Sequence, residues 1–140
     1  FWYGVHGVEL LYTVMGPGCE SVAAVQTPYT ESVGGVWGDG RVGTYRAIRE
    51  HTAKTGLGVT VFGTEAIAHY DWYYDYVPLC REIATFFRTR QPPIPADEMV
   101  EIFAFLETAE ASKRQGGQPV AIAAVLEAAR QAAAAKVSGK

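Results

Sequence analysis

The first eighteen residues place apolar side chains with the period of an amphipathic helix. Apolar positions recur at steps of three and four residues, the spacing of one helix face, at Val5, Val8, Leu11, Tyr12 and Met15. Gly16 and Pro17 predict where the helix ends, because glycine adopts the left-handed C-cap conformation and proline cannot continue the hydrogen-bond ladder.

The period changes to two in the middle of the chain, which indicates β-strands over 20–27, 33–37, 41–50 and 57–65. Asp39-Gly40, between two apolar runs, is a strong hairpin signal. Short connections predict a four-stranded antiparallel meander with one face covered by helices. We expect a second apolar face, and one interpretation of the register gives it Val36, Trp37, Tyr45 and Phe62. A shift by one residue would exchange the two faces.

Helical spacing returns in the second half, over about 78–90, 96–115 and 122–136, with Gly116-Gly117 ending the middle helix. The first of these helices is expected to bury Leu79, Ile83, Phe86 and Phe87. The second has an apolar face of Met99, Ile102, Phe103, Leu106 and Ala109, and the third has Val125, Leu126 and Ala129. The expected fold class is α+β, an open antiparallel sheet with helices packed on one face, forming one domain over residues 1–140.

Composition and charge argue against several classes of function. The chain has 140 residues, 49% of them hydrophobic, and a net charge of −3. Its basic residues are scattered, which argues against nucleic-acid binding. No apolar run reaches the length of a membrane span and no signal-peptide pattern is present, so we expect no membrane partner and a cytoplasmic location. Cys19 and Cys80 lack metal-ligand or redox spacing and are expected to be free thiols that pack as small hydrophobic side chains. The histidines His6, His51 and His69 lack ligand-pair spacing, and no metal is expected.

The start of the chain suggests a fragment. It has no initiator methionine and opens inside a helical pattern. We therefore expect the 140 residues to be a piece of a longer chain.

His6, Glu9 and Thr13 form a polar line on the first helix, and Trp2 joins it if the helix extends that far back. A carboxylate one turn from a histidine can orient the imidazole and stabilise its charge, which suits proton transfer. The alternative interpretation is an ordinary surface pair or an interior polar contact.

An aromatic run, residues 69–76, is too rich in rings for an ordinary loop. It can pack at a domain or subunit boundary, or form one wall of a ligand pocket in which rings supply area and hydroxyls supply polarity.

Three motifs in order resemble the C-terminal domain of the Gfo/Idh/MocA family of oxidoreductases. They are Gly4-Val5-His6-Gly7-Val8-Glu9-Leu10-Leu11 with Gly16 and Ser21-Val22, then Trp37-Gly38-Asp39-Gly40-Arg41-Val42-Gly43, then a closing segment with Pro92-Pro93, Glu107-Thr108-Ala109, Ser112 and Gly116-Gly117. The resemblance implies a substrate-binding and oligomerisation domain that accompanies an N-terminal Rossmann domain. That first domain would bind most of the NAD or NADP and is not among these residues.

The resemblance also implies residue roles. His6 matches the acid/base histidine that takes a proton from the hydroxyl of a sugar or polyol substrate, and Glu9 matches the trailing acid. Trp2 stands where the family has an aspartate that contacts substrate, and indole can only donate a hydrogen bond. Tyr70, Trp72 and Tyr73 are the nearest matches to the family's aromatic residues near the nicotinamide. A homodimer or higher homo-oligomer through the open sheet face is implied as well.

Two alternatives remain at this point. The chain could be a binding or scaffold protein that keeps the fold without dehydrogenase chemistry, which Trp2 favours. It could also be a small α+β cup that binds an apolar ligand in a closed pocket of its own, which the aromatic run favours.

Overall fold

The structure, a computed structural model, describes residues 4–49, 57–71 and 75–139. The elements follow one another as α1 (Gly4–Met15), β1 (Cys19–Gln26), β2 (Thr30–Trp37), β3 (Val42–Ile48), β4 (Gly58–Phe62), β5 (Ile67–Asp71), α2 (Val77–Thr89), α3 (Ala96–Arg114), β6 (Val120–Ala121) and α4 (Ile122–Ser138). Two predicted chain reversals are confirmed: Gly16 ends α1 at φ 70°, and Gly40 closes the β2–β3 hairpin at φ 87°.

The fold is the expected mixed α+β architecture with an open antiparallel sheet, and its strand order is β3-β2-β1-β6. The predicted meander is correct for β1, β2 and β3 but wrong for its fourth member. The fourth strand of the sheet is β6, which lies at the opposite edge, where Val120 and Ala121 pair with Val22 and Ser21 of β1. β4 instead pairs with β5 in a separate two-stranded sheet. A tight turn with Gly63 N donating to Ala66 O at 2.9 Å gives β4 this nearer partner, and short loops close at a lower entropic cost.

The core lies between one face of the four-stranded sheet and the helices α1 and α3, both of which contact it. Its centre is an aromatic cluster of Tyr12, Trp37 and Phe105, with ring centroids 5.7–6.3 Å apart. The Trp37 indole N–H donates to the Gly16 carbonyl at 2.8 Å, so this large ring is buried with its polar atom satisfied. The three rings come from α1, β2 and α3 respectively, so the cluster joins both helices to the sheet.

The membership of the second sheet face differs from the expectation. Tyr45 pairs with Val33 and Trp37 with Cys19, so both rings lie on the helix side. Phe62 belongs to the separate β4–β5 hairpin. Only Val36 was placed correctly. The register fixes this outcome, since neighbouring strand positions point to opposite faces.

The open sheet face nevertheless carries exposed apolar side chains. Val36 lies on the inner strand β2, next to the β2–β3 turn, and pairs with Val42 on β3 and Ser21 on β1. The larger apolar members expose 42–68% of their surface and are Val25, Val36, Val42 and Ile48. Among the described residues that pair between strands and point to this face, Arg46 is the one that carries a charge.

The expected burial of α2 is wrong. None of its residues is buried, and Leu79, Ile83, Phe86 and Phe87 expose 41–77% of their surface. Of the two cysteines expected to pack as small hydrophobic side chains, the structure buries Cys19 but leaves Cys80 exposed. In α3, Ile102, Leu106 and Ala109 are buried as expected, whereas Phe103 is half exposed. Helical periodicity identifies an apolar face but does not say what covers it. Within the described ranges, no helix combines the length and apolarity that crossing a membrane requires.

Candidate functional site

The polar line expected on α1 forms. His6 Nδ1 lies 3.1 Å from Glu9 Oε2, and the two side chains are 51% and 41% exposed. Thr13 Oγ1 donates to the Glu9 carbonyl at 2.8 Å. When Nδ1 carries the proton it donates to the carboxylate, and Nε2 is then the basic nitrogen of the ring. The arrangement can therefore accept a proton and stabilise the imidazolium that results.

A glycine sets the position of α1 on the sheet. A Cβ at Gly7 would stand 2.3 Å from Cε2 of Tyr45, and one at Gly4 would stand 3.3 Å from the Tyr45 hydroxyl oxygen. The Tyr45 ring thus packs directly on the helix backbone, an approach that only glycine permits. Burial raises the pKa of Tyr45, and the nearby Glu31 charge adds to the effect. Tyr45 is therefore a neutral packing partner that fixes the helix carrying His6.

Glu101 ties α3 to the turn between α1 and β1. Its Oε1 accepts from the Tyr12 hydroxyl at 3.1 Å and from the backbone N–H groups of Gly18 and Cys19 at 2.8 and 2.9 Å. Burial raises the pKa of Tyr12 well above its usual value, with a further contribution from Glu101. Burial likewise raises the pKa of the Cys19 thiol to about 11. The Tyr12 hydroxyl and the Cys19 thiol therefore stay neutral beside the Glu101 carboxylate. The hydrogen bonds to this carboxylate hold α3 against the turn between α1 and β1.

A second charged cluster links β2 to α3. Glu31 accepts from Lys113 Nζ at 3.0 Å and from Arg49 at 2.7 Å, and Lys113 also contacts Glu110. Burial by itself would raise the pKa of Glu31, but the hydrogen bonds from Arg49 and Lys113 outweigh it and lower that pKa. Because each cation here is matched by a carboxylate, the cluster is better suited to holding elements together than to capturing an anion.

The cavity next to Tyr45 is too small for a substrate. Its volume is about 20 Å³, enough for a single water molecule, and its lining includes Gly4, Glu31, Tyr45 and Glu110. The α+β-cup alternative requires a closed apolar pocket, and this enclosed space in the described part of the chain does not provide one. The His6–Glu9 pair lies on an open helix surface instead.

Tyr70 is the one predicted aromatic contact that the structure describes. It lies in β5, opposite Val59, and is exposed. β4 contacts α1, so the hairpin that carries Tyr70 adjoins the helix that carries His6. Trp2, Trp72 and Tyr73 lie outside the described residues, as does the loop with His51.

The glycines of β2 and of the turn after it do not form a phosphate cradle for a nucleotide. Gly34 and Gly35 lie within β2, and Gly38 and Gly40 lie in the hairpin turn that follows. A phosphate cradle needs such glycines in front of a helix N-terminus. In the described ranges of the chain, no three His, Cys, Asp or Glu side chains are grouped so that they could hold a metal ion.

Sequence reasoning found the His6–Glu9 pair from its spacing but missed Glu101 and the Glu31–Lys113 contact. The partners in these contacts are more than eighty residues apart in the sequence, and no local pattern indicates them. A scan of protein-family models, a search of curated proteins and a search of solved structures found no match to this chain.

Proposed function

We propose that this chain is the substrate-binding and oligomerisation domain of an NAD(P)-dependent oxidoreductase that acts on a sugar, a polyol or a related hydroxy compound. The observation that carries the proposal is the exposed His6–Glu9 pair at 3.1 Å. The likeness of this stretch to the Gfo/Idh/MocA signature and the order of helix, hairpin-linked strands and closing helices support it.

In the proposed reaction, His6 takes the proton from a substrate hydroxyl. Glu9 holds the imidazole by Nδ1 and offsets the positive charge that develops on the ring, which is the role of a carboxylate partner in acid–base catalysis. About half of the surface of each side chain is open, so a hydroxyl can approach the pair. NAD or NADP would supply the hydride acceptor, held mainly by a nucleotide-binding domain outside these residues.

Replacing His6 tests the proposal in the protein that carries this chain. We expect His6→Ala to lower kcat for NAD(P)⁺-dependent oxidation of a responsive polyol by about a hundredfold or more, the usual scale of acid–base assistance. The residual rate should lose the pH dependence that a histidine base confers. Val14→Ala, at an exposed position of the same helix, is the matched control and should leave kcat unchanged.

Two results would reject this role. Equal kcat in His6→Ala and the unmodified protein would remove His6 from the chemistry. No turnover across a panel of sugars and polyols, in a protein that still binds one of them, would favour the non-catalytic binding protein that Trp2 suggests.

We also propose that the open sheet face forms a homodimer. It presents Val25, Val36, Val42 and Ile48 with one charge among its described paired positions. Val36 and Val42 lie at one end of this face, and Val25 and Ile48 lie toward the other. Burying these exposed apolar side chains against a second copy would be favourable. A two-fold contact would bury the same patch on both copies.

A further inference from the structure

Two more apolar surfaces lie exposed away from the open sheet face. The α2 stripe consists of Leu79, Ile83, Phe86 and Phe87, at helical spacing on one side of α2. The α3–α4 groove has a volume of about 360 Å³ and is lined mainly by apolar side chains, which are Met99, Val100, Phe103, Ala104, Val125, Leu126 and Ala129.

The two surfaces do not cover one another within one chain. The connector of residues 91–95 contains Pro92, Pro93 and Pro95 and bends at Pro93 and Ile94. The four stripe residues remain exposed, and Val100 and Phe103 in the groove are also about half exposed. Both surfaces are therefore open to a partner.

We infer that the α2 stripe of one copy of this chain occupies the α3–α4 groove of a second copy. A cavity of about 150 Å³ holds one benzene ring, so the groove has room for about two rings, such as those of Phe86 and Phe87. These two rings already stack edge to face with centroids 5.8 Å apart. The occupant is thus a preformed pair of aromatic side chains on a rigid helix.

The area agrees with a stable dimer. A fully buried aromatic side chain removes about 150–250 Å² from water, and the stripe residues are roughly half exposed before association. One stripe and its groove would then bury on the order of 700 Å². Reciprocal exchange between two copies would bury about 1,400 Å², within the range of specific protein interfaces.

Charge favours one orientation of α2 in the groove. Glu107 is the charged residue in the groove lining. The last turn and C-cap of α2 carry Arg88 and Arg90. In α3 the first turn carries Asp97 and Glu98, the last turn carries Lys113 and Arg114, and Glu107 already pairs with Arg114. An antiparallel arrangement therefore brings the guanidinium groups of α2 to the acidic end of α3, while Leu79 lies toward Glu107. This contact uses none of the residues of the His6–Glu9 pair or of the open sheet face, so it can fail without affecting either proposal.

Disulfide trapping tests the inference, because Cys80 is exposed on α2 while Cys19 is buried. One copy keeps Cys80. A second copy, distinguishable by mass, carries Cys80→Ser and Glu107→Cys, at the end of the groove toward which Leu79 and Cys80 lie. We expect mild oxidation of the mixture to give a disulfide between the two copies. A second copy with Cys80→Ser and Val25→Cys, on the open sheet face, should give no such product. Equal yields from the two mixtures, or none from the groove variant, would overturn the inference.

Sedimentation velocity of the full chain gives an independent measurement. Phe86→Asp, at an exposed stripe position, should lower the weight-average mass at micromolar concentration by breaking this contact. Arg81→Asp, at an exposed position of the same helix away from the stripe, should leave the mass unchanged. Phe86→Asp should also abolish the Cys80 crosslink. An unchanged mass and an unchanged crosslink in Phe86→Asp would contradict the inference.

Discussion

At the scale of single residues, Gly7 decides how closely α1 approaches the sheet. Alanine favours a helix over glycine by about 1 kcal/mol, so Gly7→Ala would stabilise an isolated helix. Here its Cβ would meet the Tyr45 ring at 2.3 Å, and overpacking of that kind costs about 1–3 kcal/mol. We expect a net loss of about 1–2 kcal/mol in the free energy of unfolding, measured by urea denaturation.

The control and the double mutant make this prediction specific. Gly34→Ala adds the same methyl group on the open sheet face, where no atom lies within 4 Å, and should change stability by less than about 0.5 kcal/mol. In a Tyr45→Ala background, Gly7→Ala should become neutral or stabilising, because the clashing ring is gone. The same loss in both backgrounds would exclude the contact with Tyr45 as its cause.

The residue scale also shows what sequence patterns can and cannot provide. The spacing of the residues predicted the contact between His6 and Glu9, and the turn residues predicted the chain reversals at Gly16 and Gly40. Both kinds of prediction succeed because the features depend on neighbours within a few residues. Glu101 receives its hydrogen bonds from atoms that are distant in sequence. A single glutamate on a helix carries no local signal of such partners. The site's helix could therefore be predicted, whereas the contacts that fix its surroundings could not.

At the scale of elements, Glu101 joins α3 to the end of α1 and the start of β1. Glu101→Ala leaves the Gly18 and Cys19 N–H groups and the Tyr12 hydroxyl without this acceptor. Loss of hydrogen bonds to a charged group costs about 1.5–3 kcal/mol each when the donors stay buried. Partial access of water to Gly18 reduces the total, so we expect a loss of about 2–4 kcal/mol by denaturant unfolding.

Glu107→Ala is the matched control for Glu101→Ala. It removes a carboxylate from the same helix, but its ion pair with Arg114 at 3.4 Å is exposed on both sides. Exposed pairs contribute about 0–1 kcal/mol, so this variant should stay within about 0.5 kcal/mol of the unmodified protein. Similar losses in the two variants would show that Glu101 contributes no more to stability than an exposed carboxylate, which would exclude its role as an acceptor.

Element prediction succeeded where period and turn signals agreed. α1, the β2–β3 hairpin and α3 have both, and their positions are close to those expected. β5 was missed because His69 and Tyr70 belong to an aromatic run whose period is obscured by neighbouring rings. β6 contributes only Val120 and Ala121, too short a stretch to show alternation. α2 was recognised as a helix, but its apolar stripe is not part of the core, and no periodicity argument reveals that.

At the scale of the whole molecule, the sheet divides the fold into a helix-covered side and an open side, and the open side is where we expect a second copy. Val36 is chosen because it lies on the inner strand β2 and is exposed without contributing to the core. Val36→Asp would place a charge beside Val42 on the open face, and burying it in a sheet-to-sheet contact without a partner would be strongly unfavourable. We expect this variant to lose the sheet-face dimer in sedimentation at micromolar concentration while keeping its circular dichroism spectrum.

Val137→Asp, exposed near the end of α4, should sediment like the unmodified protein. The Cys80 crosslink to the α3–α4 groove should persist in Val36→Asp, because that contact lies on other elements. If Val36→Asp and the unmodified protein sediment identically, the open sheet face is not an interface in solution.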